Sequence, residues 1–180
     1  SVAQAVDQVQ SQVGRAYRED EVSPAALDSY FEENGPVRDY LLGSKVFDKA
    51  GRLVASAAPV TDTRAAAGPP PAPATPAMPR ITITDINPDT GRGVINVVRM
   101  IDDGKGGSAG SVLAQVDSQR FEQIYTLVEL GKGGSVTLFH RDGTMLVRGP
   151  RFPSGIGRSF AHTPLFAQFL PVAPRGVIAI

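Results

Sequence analysis

Five polar side chains have the chemistry to bind a small molecule. Arg64 carries a planar fork of donors that suits a carboxylate or phosphate, and it stands just before a proline-rich stretch. Thr84, Asp85, Asn96 and Arg99 lie on segments predicted as central strands, where alternate side chains reach the same face. We treat all five as candidate ligand-binding residues. The alternative is that Arg64 is a solvated loop residue and the others form the polar side of a half-solvated sheet.

The sequence lacks the signatures of catalysis, metal binding and phosphate binding. It has no cysteine, and His140 and His162 have no second ligand at a zinc-like spacing. Lys105 and Lys132 lie in glycine-rich stretches that lack the Walker spacing, so both stretches are predicted turns. There is no G-x-S-x-G elbow, and the paired carboxylates at 102–103 also fall in a turn. We therefore predict no catalytic residue, no metal site and no cofactor.

The composition is that of a folded domain without a polyanionic partner. The 180 residues include 18 basic and 18 acidic side chains, so the formal net charge is zero. This balance predicts no nucleic-acid partner. The apolar runs are shorter than the ~20 residues that a membrane-spanning helix needs. Either the protein is soluble, or its membrane segments lie outside these residues.

Two helices are predicted before the first strand. An apolar stripe recurs at spacings of four and three, as on one side of a helix. Its members are Val2, Val6, Val9, Val13 and Tyr17. The stripe either closes the core of its own chain or forms a homodimer seam with a second copy. Ser23 before Pro24 predicts a second helix, and the apolar cluster at 37–42 predicts a short helical segment ended by Gly43.

Turn-bounded, alternating segments predict a largely antiparallel first sheet. The predicted segments are a hairpin at 45–56, a second hairpin at 80–86 and 93–101, and a third strand at 111–116. Residues 65–79 are rich in alanine and proline and interrupt the sheet as a loop. Asp117 or Ser118 then caps a helix.

A second, smaller unit is predicted after the glycines at 131–134. Its first element is a hairpin around the turn Arg-Asp-Gly-Thr. The predicted segments are strands at 135–140 and 145–148, a helix at 163–170 and a strand at 176–180. This unit has fewer strands than the first.

Three stretches resemble a known family. They are VFDKAGRLVAS from Val46, RMIDDGKGGSAGSVLAQVDSQRFEQIY from Arg99, and LGKGGSVTLFHRDGTMLVR from Leu130. The first is similar to a D-x-x-G-x-x-x-x-S hairpin, and the last contains G-x-G-G-S-x-x-L-x-x-x-D-G. With the order of elements, they resemble the double Cache (PDC) sensor domains of bacterial membrane receptors. The resemblance is greatest to the versions attached to diguanylate cyclases and phosphodiesterases, and next to those of histidine kinases.

The resemblance implies a fold and the position of a site. The fold would be a long N-terminal helix along two PAS-like subdomains, with the ligand pocket in the membrane-distal one. In many members an arginine and several aromatic residues follow the second strand; Arg64 matches the arginine, but alanines follow it here. Gln115 stands where amino-acid-binding members place an aspartate, and it is a further candidate ligand-binding residue. Its lack of charge argues against free amino acids at the usual ammonium site.

The predicted fold class is α+β, with a long N-terminal helix packed on two antiparallel, PAS-like units. The predicted divisions are a helical segment at 1–44, a membrane-distal subdomain at 45–130 and a smaller or incomplete membrane-proximal subdomain at 131–180. The predicted function is the periplasmic ligand-sensing input domain of a membrane-anchored signalling protein of the inner membrane. Its ligand would be a small polar or anionic metabolite, and the domain itself would not be an enzyme. The alternatives are a ligand-free dimerisation and coupling module and, third, a small soluble enzyme.

Overall fold

The computed structural model describes residues 2–19, 22–33, 41–57, 79–126, 131–173 and 175–177. Two helices come first, and strands dominate the rest of the chain. In chain order the elements are α1 (Val2–Arg18), α2 (Pro24–Glu33), β1 (Leu41–Asp48), β2 (Leu53–Ala57), β3 (Arg80–Thr84), β4 (Val94–Asp102), β5 (Ser108–Asp117), α3 (Ser118–Thr126), β6 (Val136–Phe139) and β7 (Met145–Gly149). A 3-10 turn at Pro153–Gly155 and a π-helical turn at Leu165–Phe169 follow.

The larger sheet, sheet A, contains five antiparallel strands in the order β2-β1-β5-β4-β3. The predicted hairpins of the first unit are therefore confirmed. The β1–β2 turn is held by Asp48, whose carboxylate accepts from the backbone N–H groups of Ala50 at 2.8 Å and Arg52 at 2.9 Å. The backbone hydrogen bond from Arg52 is the main reason that the pKa of Asp48 lies below its usual value.

One face of sheet A, the helix face, packs against α1 and α2. The apolar stripe of α1 is buried there, since Val6, Val9 and Val13 are 4%, 3% and 0% exposed. The same core includes Val46, Leu27, Ile95, Val112, Ala114 and Val116. The stripe therefore closes the core of its own chain, which is one of the two predicted uses. Successive side chains of a strand point to opposite faces. The side chains of sheet A that point away from α1 and α2 form the second face, the far face.

A separate two-stranded sheet, sheet B, consists of the antiparallel strands β6 and β7. The turn between them is tight because Gly143 has φ 88°, a conformation that favours glycine. A Cβ at this position would lie 2.5 Å from the backbone nitrogen of Ala161. The second predicted unit is thus present and smaller than the first.

The structure corrects three details of the sequence analysis. Leu41, Leu42 and Gly43 open β1 and are not helical. All three are buried within a central strand, and a strand covered on both faces has a continuous apolar run that resembles a short buried helix. Strand β5 begins at Ser108 and not at residue 111. Gly176 and Val177 have no strand structure, and the rest of that predicted strand lies outside the described residues.

The predicted α+β class, with a long first helix and two antiparallel sheets of unequal size, is confirmed. The helix predicted at 163–170 is present as the π-helical turn after Pro164. The domain boundaries at 44/45 and 130/131 stay predictions. Among the helices of the described ranges, none combines the length and the apolar character that crossing a bilayer requires.

Candidate functional site

Strand register brings three of the predicted site residues onto one face of sheet A. Asn96 on β4 is the direct partner of Gln115 on β5. On the other side of β4, Thr82 of β3 pairs with Asn96, and Thr84 pairs with Val94. Residues two apart on a strand share a face. Thr84, Asn96 and Gln115 therefore lie together on the far face, across three adjacent strands.

These residues form a continuous hydrogen-bonded chain that ends on Asp85, which we call the polar row. Gln115 Nε2 donates to Asn96 Oδ1 at 3.1 Å. Asn96 Nδ2 donates to Thr84 Oγ1 at 2.9 Å, and the Thr84 hydroxyl donates to Asp85 Oδ2 at 3.0 Å. The two middle members, Asn96 and Thr84, each accept one hydrogen bond and donate the next, so the side chains hold one another in fixed orientations. Four of the six predicted site residues are thus brought together.

The two ends of the polar row differ in environment. Gln115 is fully buried and Asn96 is 3% exposed, whereas Asp85 is exposed. In the part of the chain that the structure describes, Gln115 Oε1 is buried without a hydrogen-bond partner. A buried acceptor left in that state costs roughly 1–3 kcal/mol. The row therefore offers an unused acceptor at its inner end and a carboxylate at its outer end.

Asp85 has an unusual backbone conformation. Its φ is 51°, and within the described ranges it is the one residue other than glycine with a positive φ. Aspartate tolerates this left-handed region better than most residues, and such conformations cluster at functional sites. The conformation ends β3 and allows the Asp85 carboxylate to accept the hydrogen bond from Thr84.

Beside the polar row, the far face is apolar. Phe47, Val98 and Leu113 are 4%, 2% and 1% exposed and form a cluster distinct from the main core. Polar groups that converge beside an apolar surface are typical of small-molecule sites. The polar row therefore adjoins a buried apolar cluster on the same face of the sheet.

Arg99 lies on the opposite face of the same strand. Residues 96 and 99 are separated by an odd number of positions, so their side chains point to opposite faces. Its guanidinium contacts α1, with Nη2 2.6 Å from Asp7 Oδ1 and a hydrogen bond from Nη1 to Ser11 Oγ. The structure therefore does not bring Arg99 together with the polar row. Arg64 lies outside the described residues.

A buried polar residue on α1 was not among the predicted site residues. Gln10 is 2% exposed, and its Nε2 donates to the backbone oxygens of Val97 at 2.8 Å and Val112 at 3.2 Å. Gln10 follows Val6 by four residues and precedes Val13 by three, so helical spacing places it inside the apolar stripe. A polar residue within an apolar helical stripe is the sequence feature that could have identified Gln10 as a candidate.

Asp142, in the β6–β7 turn, has a strongly perturbed carboxyl group. Desolvation raises its pKa, but hydrogen bonds from the Thr144 hydroxyl and backbone N–H and from His140 outweigh that effect and lower the pKa to about 2. His140 Nδ1 lies 3.0 Å from Asp142 Oδ1. The pair holds the hairpin turn and lies apart from the polar row in sequence and in sheet.

Comparison with known proteins gives one family match and several structural matches. The family model dCache_1_like, described as a histidine kinase sensor domain, matches residues 118–180. The extracellular domain of the histidine kinase rpHK1S-Z16 is 22% identical with a TM-score of 0.51, and the match covers 97% of this chain and 79% of that one. No curated protein sequence matches the chain.

Two chemoreceptor ligand-binding domains are also similar. That of Pseudomonas fluorescens CtaA in complex with L-valine is 18% identical with a TM-score of 0.58, covering 86% of this chain and 68% of that one. That of Pseudomonas aeruginosa PAO1 PctB in complex with L-Arg is 16% identical with a TM-score of 0.58, covering 86% and 65%. These matches and the family model confirm the predicted resemblance to double Cache sensor domains.

Proposed function

We propose that this chain is the extracytoplasmic ligand-sensing domain of a bacterial membrane signalling protein, and that the polar row on the far face of sheet A binds its ligand. The observation that carries the proposal is the hydrogen-bonded series from Gln115 to Asp85, with a buried acceptor left unpaired. The similar domains of CtaA and PctB were solved with L-valine and L-Arg. Their fold therefore accommodates small polar metabolites.

The chemistry of the row favours a ligand that donates a hydrogen bond. Gln115 Oε1 can only accept, and Asn96 Nδ2 is already engaged with Thr84 Oγ1 and, at 3.3 Å, with the backbone oxygen of Val94. A hydroxyl or N–H group of the ligand would remove the cost of the unpaired oxygen. Because Gln115 has no charge, an ammonium group gains less here than it would beside an aspartate. Arg64 is the proposed partner for a ligand carboxylate or phosphate.

Thermal unfolding in the presence of organic acids, amino acids and polyols tests the proposal. A ligand present at 100 times its dissociation constant adds ~2.7 kcal/mol of stability, which is roughly 5–10 °C in Tm for a chain of this size. In Gln115→Met the acceptor is lost at nearly constant volume, so the shift should fall by at least half.

The matched control is Ser56→Ala, an exposed position on the edge strand β2 of the same sheet. This variant should keep the full shift. If no compound of these classes stabilises the wild-type chain, the ligand-free coupling module becomes the better explanation. A shift that Gln115→Met leaves intact would place the ligand elsewhere.

The class of the parent protein belongs to the same proposal. A histidine kinase is favoured by the description of the family model that matches residues 118–180. A diguanylate cyclase or phosphodiesterase parent, predicted first from the sequence motifs, remains the alternative. In either case the domain would lie in the periplasm between membrane spans of ~20 apolar residues, and the cytoplasmic part of the gene would identify the class.

A further inference from the structure

A cavity lies on the helix face of sheet A, on the side of the sheet opposite to the polar row. Its volume is about 560 Å³, within the range of small-molecule sites. The walls come from α1, from β3 and β4 of sheet A, from α3 and from β6 of sheet B. The lining includes Ile81 of β3, Val97 of β4, Phe121 of α3 and Leu138 of β6. The cavity therefore lies where the two sheets meet the first helix.

The lining is mainly apolar, and Gln10 is its buried polar side chain; Asp7, His140 and Arg141 also line the cavity. Gln10 lines the cavity, and its Nε2 is held by the backbone oxygens of Val97 and Val112. These two bonds fix which end of the amide faces the strands. Gln10 Oε1 is buried and has no hydrogen-bond partner among the described residues. The cavity thus combines mainly apolar walls with one buried acceptor of fixed orientation.

Charged groups at the rim already have partners. Asp7 pairs with Arg99 at 2.6 Å, and His140 pairs with Asp142 at 3.0 Å. Arg141, which also lines the cavity, is likewise engaged. An ionic ligand would have to break one of these pairs or enter apolar surroundings without a counter-charge, which is unfavourable. The ligand that fits is uncharged.

We infer that this cavity binds a compact, uncharged, mainly apolar molecule with one hydroxyl or N–H group, which donates its hydrogen bond to Gln10 Oε1. Such a molecule would bury its apolar surface against Ile81, Val97 and Leu138 and would remove the cost of the unpaired oxygen. It would contact both sheets and α1 at once. This second site is independent of the ligand proposed for the polar row.

Indole and 1-methylindole form a matched pair of probes, because only indole has an N–H donor. The chain contains no tryptophan, so the fluorescence of the probes can be followed without a protein signal in the same range. Indole should bind saturably with one site per chain. 1-Methylindole should bind at least ~10-fold more weakly, as expected for the loss of a buried hydrogen bond.

Three variants locate the binding. Gln10→Leu should reduce indole affinity to that of 1-methylindole, whereas Gln8→Leu, exposed on the same helix, should leave it unchanged. Leu138→Phe should weaken both probes because the larger ring fills the cavity. Gln115→Met should leave indole binding intact, which separates this site from the polar row.

Two results would overturn the inference. One is the absence of saturable binding of either probe, which would mean that only water occupies the cavity. The other is equal binding of both probes by the wild-type chain, which would remove the role of Gln10 Oε1. The comparison of probes on the wild-type protein remains decisive even if Gln10→Leu fails to fold.

Discussion

Gln10 and Gln115 are two buried amides on opposite faces of the same sheet. In each, the nitrogen donates to a group of sheet A, to backbone oxygens for Gln10 and to Asn96 for Gln115. In each, the oxygen is left unpaired. The donor bonds fix the amide orientation, so each oxygen points to a defined place. At the scale of single residues, these two oxygens are the strongest indications of ligand contact.

Asp142 gives a pH-dependent prediction at the same scale. Its pKa of about 2 lies below the ordinary value of 3.8, so its contribution to stability is fully present above about pH 4 and is lost as the pH falls through about 2. Asp142→Asn should lower the free energy of unfolding at pH 6, and the difference from wild type should shrink as the pH falls toward 2. The side chain is 61% exposed, so screening should keep the difference below ~1 kcal/mol.

Urea unfolding of both proteins from pH 2 to pH 6 measures this difference. Asp89→Asn, in an exposed turn of sheet A, is the control and should give curves parallel to the wild type. A constant difference between wild type and Asp142→Asn over the whole range would contradict the role assigned to the ionised carboxylate.

At the scale of elements, β4 joins the candidate ligand site to the first helix. Its Asn96 side chain belongs to the polar row on the far face, and its Arg99 side chain binds Asp7 and Ser11 of α1 on the helix face. A shift of β4 on ligand binding would therefore act directly on α1. The strand has the geometry of a link between a ligand and a helix.

Arg99→Met tests this link. Methionine keeps much of the packing of the stem but removes the ion pair, so we expect a loss of about 0.5–1 kcal/mol and faster hydrogen exchange of the backbone amides of α1. Arg15→Met, at an exposed position of the same helix, should change neither. Equal exchange in the two variants would show that the pair does not hold α1 on the sheet.

The elements also show how far the sequence could lead. The alternation of apolar and polar residues, together with the turn residues, was sufficient to predict the hairpins of both sheets. The spacing of apolar residues was sufficient to predict α1. Leu41 and Leu42 were misread because a buried strand and a short helix have the same apolar run. The separation of Arg99 from Asn96 was readable from parity. The pairing of Asn96 with Gln115 depends on the register across the glycine-rich β4–β5 turn, and that register shifts between Ile101 and Asp102. The cavity beside Gln10 depends on how two sheets meet, which local patterns do not encode.

At the scale of the whole molecule, α1 packs against residues of both sheets. It contacts β4 and β5 of sheet A and also α2, and its apolar stripe is buried in the core that includes Leu146 and Val147 of sheet B. The same stripe was the predicted seam of a homodimer. A dimer of this folded chain formed through α1 would have to use the exposed side of that helix, which carries Gln8, Ser11 and Arg15.

The two uses of the stripe predict different behaviour for Val9→Asp, because Val9 is 3% exposed. If the stripe closes the core, an unpaired buried carboxylate should destabilise the chain by more than ~3 kcal/mol, with loss of the cooperative thermal transition. If the stripe were mainly a dimer seam, the variant would remain folded and only its sedimentation would change, from dimer to monomer. Gln8→Asp, exposed on the neighbouring position, should stay within ~0.5 kcal/mol of the wild type. We expect the unfolding result, since Val9 is buried in the apolar core between the helix and the central strands, where a carboxylate would lose its hydration.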